Sequence, residues 1–128
     1  MKVLLDTHTF LWWVLDDSKL SKKARDVLKN SEHEIFLSVV SAWEIAIKFR
    51  LKKMSLSKKP EDFVLEHMNL NAMVPLSIQM KHALRVSELP DHHEDPFDRL
   101  LIAQSNIENM PLVTCDKIIK KYDVTVIW

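Results

Sequence analysis

Short apolar runs alternate along the chain with stretches in which apolar residues recur at helical spacing. Residues 2–5, KVLL, form an apolar run closed by Asp6 and predict a buried parallel strand. A short helix is predicted from Thr9 to Leu15. Ser18 or Ser21 can cap a second, in which Leu20, Ala24, Val27 and Leu28 keep helical spacing. Residues 34–40, EIFLSVV, predict a second strand running into a helix from about Ser41 to Leu51. Pro60 suits the first turn of another helix, PEDFVLEHMNL. AMVPL at 72–76 predicts a third strand, and Ser77 a cap for IQMKHALRVSEL, a helix that Pro90 ends. A helix then runs to about Asn109. PLVT (111–114), a helical turn at 116–121 and a last strand, VTVIW, follow. Strands alternating with helical segments predict an α/β fold with a mainly parallel sheet.

No repeat, linker or low-complexity stretch divides the 128 residues, so one domain, 1–128, is expected. With 47% apolar and 28% charged residues the composition is that of a soluble globular protein. The formal net charge is +0, so any nucleic-acid argument must come from where charges sit. A single cysteine, Cys115, leaves no intrachain disulfide and no Cys-rich zinc site, in keeping with a reducing cytoplasm. No signal peptide and no run of the ~18 apolar residues of a membrane helix is expected. Glycine is absent. That excludes a Walker loop, a Rossmann fingerprint and a G-x-S-x-G elbow, each of which needs Gly where backbone meets ligand or takes positive φ.

Four acids change the picture. Open parallel sheets bind ligands beyond the carboxyl ends of their strands. Asp6 directly ends the first strand, Glu44 lies one turn into the helix after the second, Asp98 opens the helix after Asp95-Pro96, and Asp116 follows LVT. Each has a plainer reading. Asp6 can cap the next helix, Glu44 can pair with Lys48 at i,i+4 for about 0.2–0.5 kcal/mol, and Asp116 can form a turn. Asp95, with Pro at the first helical position, reads as a cap, while the i+4 partner of Asp98 is Ile102, on the apolar side.

If the four converge, their mutual repulsion calls for a cation. Hard oxygen donors without Cys select Mg²⁺ or Mn²⁺ over zinc. An ion so held can assist phosphodiester hydrolysis. His92 and His93 are adjacent, cannot share a metal on a helix, and are expected in a solvated loop. Ser and Cys115 have no evident base, so covalent nucleophilic catalysis is not supported. Between Lys48 and Lys59 there are Lys48, Arg50, Lys52, Lys53, Lys58 and Lys59 and no acid, and Lys22, Lys23 and Arg25 form a smaller group. These are either solvated helix faces or a stripe for phosphate backbones.

LLDTHTFLWW, SVVSAWEIAIK, DPFDRLLIAQ and LVTCDKIIKKYDVTVIW, in this order, resemble PIN-domain ribonucleases, specifically the VapC family of toxins from bacterial toxin–antitoxin pairs. The resemblance covers nearly the whole chain. It implies a three-layer α/β/α sandwich and Mg²⁺-dependent endonucleolytic cleavage of RNA, with Mn²⁺ as a substitute ion. It also implies a cognate antitoxin and a homodimer as partners. By position, Asp6, Glu44, Asp98 and Asp116 match the family's four acids. Asp6 and Asp98 would be the principal metal ligands, with Glu44 and Asp116 completing the pocket. Thr114 matches the hydroxyl residue before the fourth acid and is expected to position substrate. His8 stands where the family often has Asn or Ser.

Two other readings compete. A phosphatase of the haloacid dehalogenase type also begins strand–Asp, but needs an acid where His8 stands. A non-catalytic metal- or partner-binding domain would use the acids only as caps. Phe10, Trp12 and Trp13 either line a dimer or antitoxin groove or belong to the core.

Overall fold

Val3 and Leu5 pack into one hydrophobic core and Leu4 into a second, so the strand β1 (Lys2–Leu5) is buried on both faces. The same alternation recurs in β2 (Glu34–Ser38), where Ile35 and Leu37 face one core and Phe36 the other. It explains why these strands read as continuous apolar runs. The computed structural model describes residues 1–128.

Helices α1 (Thr7–Val14) and α2 (Lys22–Lys29) follow β1, and α3 (Val39–Arg50) and α4 (Pro60–Leu70) follow β2. Then come β3 (Val74–Leu76), α5 (Met80–Arg85), α6 (Pro96–Glu108), β4 (Leu112–Val113) and β5 (Val126–Ile127). Single 3-10 turns lie at Val86–Glu88 and Ile119–Lys121.

All strand pairings are parallel, in the order β3-β2-β1-β4-β5. Phe10, Leu11, Ala24, Leu28, Phe63 and Val64 from α1, α2 and α4 cover one face. Leu101 and Ile102 of α6, with Ile119 and Tyr122, cover the other. The helix α3 contributes to both, through Ile45 and Val40. The architecture is the expected three-layer α/β/α sandwich. The chain leaves β1 toward β2 but leaves β4 toward β5, so the order reverses between the central neighbours β1 and β4. Such a switch point opens a crevice at the carboxyl ends of the two strands.

Several element boundaries differ from the sequence expectation. The second strand stops at Ser38, whose hydroxyl caps Val40 N–H, and α3 begins at Val39, two residues before Ser41. Val39 and Val40 favour strand locally, but the cap and the burial of Val40 make them helical. The helix predicted from Ser77 starts at Met80, with Gln79 in the cap position and the His82 ring Nδ1 accepting from Gln79 N–H at 3.0 Å. Ser77 instead gives its carbonyl to the buried Gln104 Nε2 at 3.2 Å. The expected cap residues Ser21 and Asp95 and the N1 position of Pro60 are found as read.

Candidate active site

Asp6 is the first residue past β1 and the N-cap of α1. Its Oδ1 accepts from Thr9 N–H at 2.7 Å, and its Oδ2 accepts from the hydroxyl of Thr114. The cap is real, and it aims the carboxylate into the crevice between β1 and β4. Burial holds the Asp6 carboxyl above its ordinary value, against the lowering effect of the Thr114 and Thr9 bonds.

Thr114 follows β4 and is fully buried. While donating to Asp6, its hydroxyl accepts the backbone N–H of Asp116 at 3.1 Å. This one hydroxyl joins the acids at the ends of the two central strands. The hydroxyl of Thr114, the residue expected to position substrate, is turned to these acids.

Glu44 is buried on the second turn of α3. Thr7 Oγ1 lies 2.6 Å from its Oε1, and Lys48 donates to its Oε2 at 2.5 Å. The pairing with Lys48 read from i,i+4 spacing is present. Burial opposes the charge of Lys48, but the hydrogen bond and charge of Glu44, with Asp95 and Asp98 beyond, hold it above the ordinary lysine range.

Asp98 enters from the first turn of α6, where Asp95 Oδ1 accepts the N–H groups of Phe97 and Asp98 at 2.8 and 3.2 Å. Burial comes first among the causes that push its carboxyl up to about 7, followed by the charge of Asp95; His93 acts in the opposite direction, and Glu44 and Asp6 add to the rise. Asp6, Glu44, Asp95 and Asp98 therefore share one field, despite coming from three elements. Partial desolvation and the charges of Asp6 and Asp116 also raise the Cys115 thiol, which disfavours a thiolate there.

His93 was missed by reading it as a solvated loop residue. Its side chain is only 11% exposed, and its Nε2 lies 2.7 Å from Asp116 Oδ2 and 3.2 Å from Asp98 Oδ2. His93, Asp98 and Asp116 each offer one donor atom, all within 4.8 Å of one another. Asp6 and Glu44 lie outside this group. The loop is held from afar: Tyr122 Oη accepts the N–H groups of His92 and His93 at 3.1 and 2.8 Å and donates to Pro90 O at 2.8 Å. Arg99, the last residue of DPFDR, donates to the carbonyls of Pro90, His93, Val86 and Leu89. His92 turns outward, edge-on to Tyr122.

The basic run is partly spent within the fold, since Lys58 pairs with Glu66 at 2.6 Å and Lys59 lies 4.0 Å from Asp62. Arg50, Lys52 and Lys53 stay exposed and outside any ion pair. Phe10 is core. Trp12 packs on Trp128, and Trp13 donates its ring N–H to Asn71 Oδ1 at 2.9 Å, so both read as core margin. The exposed aromatic is Trp43, edge-on to Phe97.

The family model described as PIN domain matches residues 3–124. Ribonuclease VapC22 of Mycobacterium tuberculosis is 25% identical over 123 residues, spanning 94% of this chain and 91% of the relative. Ribonuclease VapC16 of the same organism is 33% identical over 60 residues, 47% of this chain and 43% of its own. Among solved structures, VapBC2 from Rickettsia felis, bound to a promoter DNA fragment, aligns with a TM-score of 0.68 at 18% identity, covering 98% and 97% of the two chains. DNA-bound VapBC from Salmonella typhimurium aligns with a TM-score of 0.69 at 14% identity, covering 98% and 96%.

Proposed function

This chain belongs to the PIN domain family, and from that premise we propose that it is a metal-dependent endoribonuclease acting as the toxin of a toxin–antitoxin pair. The observation that carries the reading is the convergence of acids: Asp98 and Asp116 offer donor atoms within 4.8 Å of each other, and Thr114 ties Asp6 to the backbone of Asp116. Such a set of oxygen donors suits a hard divalent ion. Asp98 and Asp116, with Asp6 behind them, would hold Mg²⁺ or Mn²⁺, which when bound polarises a phosphodiester and acidifies a water.

The chain's own residues orient that site. Thr114 fixes the Asp6 carboxylate and the backbone at Asp116, and the assigned role of its hydroxyl is this orientation. Glu44, held by Thr7 and Lys48, adds negative charge to the pocket. Lys48 brings a cation to the edge of the acids, and Arg50 at the end of the same helix and Lys52 and Lys53 just after it are exposed. These exposed cations are available to the phosphates of an RNA strand.

An antitoxin and a second copy are the proposed partners. The names of the VapBC structures support an antitoxin, and the exposed Val39, Trp43, Leu65, Leu70, Met80 and Leu84 offer apolar surface to be covered. No helix is long and apolar enough to cross a membrane. We place the protein in the cytoplasm, where the lone Cys115 stays reduced.

The test is cleavage of single-stranded RNA with Mg²⁺ or Mn²⁺ and with chelator. Wild type should cut only with metal, and folded Asp98→Asn should not cut. The Asn keeps a polar side chain of the same size, so an active mutant would count against the assignment.

A further inference from the structure

We infer that His93 is a proton-bearing partner of Asp98 and Asp116 that competes with the cation for them and does not ligate it. The inference rests on the reading of these acids as a cation site. The simple reading of three donor atoms within 4.8 Å counts the imidazole as a third ligand. Its other ring nitrogen argues otherwise. Asp95 N–H donates to His93 Nδ1 at 3.1 Å, so Nδ1 carries the lone pair. In the neutral ring the proton then sits on Nε2. It is this Nε2–H that faces Asp116 Oδ2 at 2.7 Å and Asp98 Oδ2 at 3.2 Å.

A metal-ligating histidine has the reverse arrangement. One nitrogen turns its lone pair to the ion, and the other donates its N–H to a carboxylate, carbonyl or water. Exchanging the tautomer here would set Nδ1–H against Asp95 N–H, two donors facing each other. Asp95 has little freedom to move, because its side chain caps Phe97 and Asp98 at the start of α6. The ring has little freedom either, since Tyr122 and Arg99 hold the loop backbone. A cation between the two carboxylates therefore meets the positive end of an N–H dipole. Loading the site costs the hydrogen bond that His93 makes to Asp116 and its close contact with Asp98.

The competing role and the ligand role predict opposite signs. In Mn²⁺ titrations of the full chain, His93→Ala should tighten binding by roughly 2- to 10-fold, the net worth of one hydrogen bond. Weaker or unchanged binding would overturn the inference. A second measurement needs no variant. Nitrogen-15 spectra of the wild-type ring without cation should show Nε2 protonated, and saturating Mg²⁺ should leave it so. A ring protonated on Nδ1, or pulsed electron-spin spectra of the Mn²⁺ form showing coupling to an imidazole nitrogen, would overturn the inference while leaving the acidic site in place. Failure of the wild type to bind either ion would overturn the acidic site and this inference together.

Discussion

Thr114 donates its hydroxyl to Asp6 across 108 residues of sequence. The same oxygen accepts Asp116 N–H, so the acids closing β1 and β4 depend on one side chain. Thr114→Val should leave the buried Asp6 oxygen and the Asp116 N–H without this partner, costing about 1–3 kcal/mol of stability. It should also weaken Mn²⁺ binding. Thr114→Ser should keep most of both. Urea unfolding and titration of the two variants test this, and a silent Thr114→Val would remove the link.

The raised Asp98 carboxyl gives a pH dependence with a fixed sign. Its folded value, about 7, lies above the unfolded value of 3.8, so this group's stabilising contribution is present below 3.8 and is lost as pH rises through about 7. Cation-free wild type should therefore lose stability relative to Asp98→Asn between about pH 4 and about pH 7. Because the cation needs the carboxylate, Mn²⁺ affinity should fall as pH drops below about 7. Parallel melting curves of the two proteins over this range check the sign.

Lys48 holds the buried Glu44 carboxylate at 2.5 Å. Lys48→Met should leave that charge with only Thr7 beside it. The lysine is partly exposed, so the expected loss is about 1–2 kcal/mol, below that of a fully buried pair. Denaturant midpoints of Lys48→Met and Lys48→Arg measure it, and equal midpoints for Lys48→Met and wild type would contradict the arrangement.

Tyr122 Oη gathers the loop that carries His93. Tyr122→Phe should speed amide exchange at His92 and His93 while leaving the strand amides of β1 and β2 protected. Unchanged exchange at the two histidines would mean that Arg99 alone holds the loop.

Much of this was legible locally. Buried strands showed as unbroken apolar runs, the Asp95-Pro96 start of α6 as a cap followed by proline, and Glu44–Lys48 as an i,i+4 pair, because each is decided within one or two turns. Val39 and Val40 misled, since β-branched residues favour strand until Ser38 caps them into α3. His93 was hidden for another reason. Its inward turn depends on Tyr122, 29 residues on, and no spacing within the loop encodes that bond. Thr114 was visible as a hydroxyl beside an acid, but its partner Asp6 lies across the sheet.

The central claim is that acids from β1, α6 and β4 form one cation site. Its most direct test is calorimetric titration of Mn²⁺ into wild type, Asp6→Asn, Asp98→Asn and Asp116→Asn, each checked for folding by circular dichroism. The account predicts saturable binding to wild type, weakened on the order of tenfold or more by each substitution. Wild-type binding that survives all three substitutions, or no binding to the wild type, would contradict it.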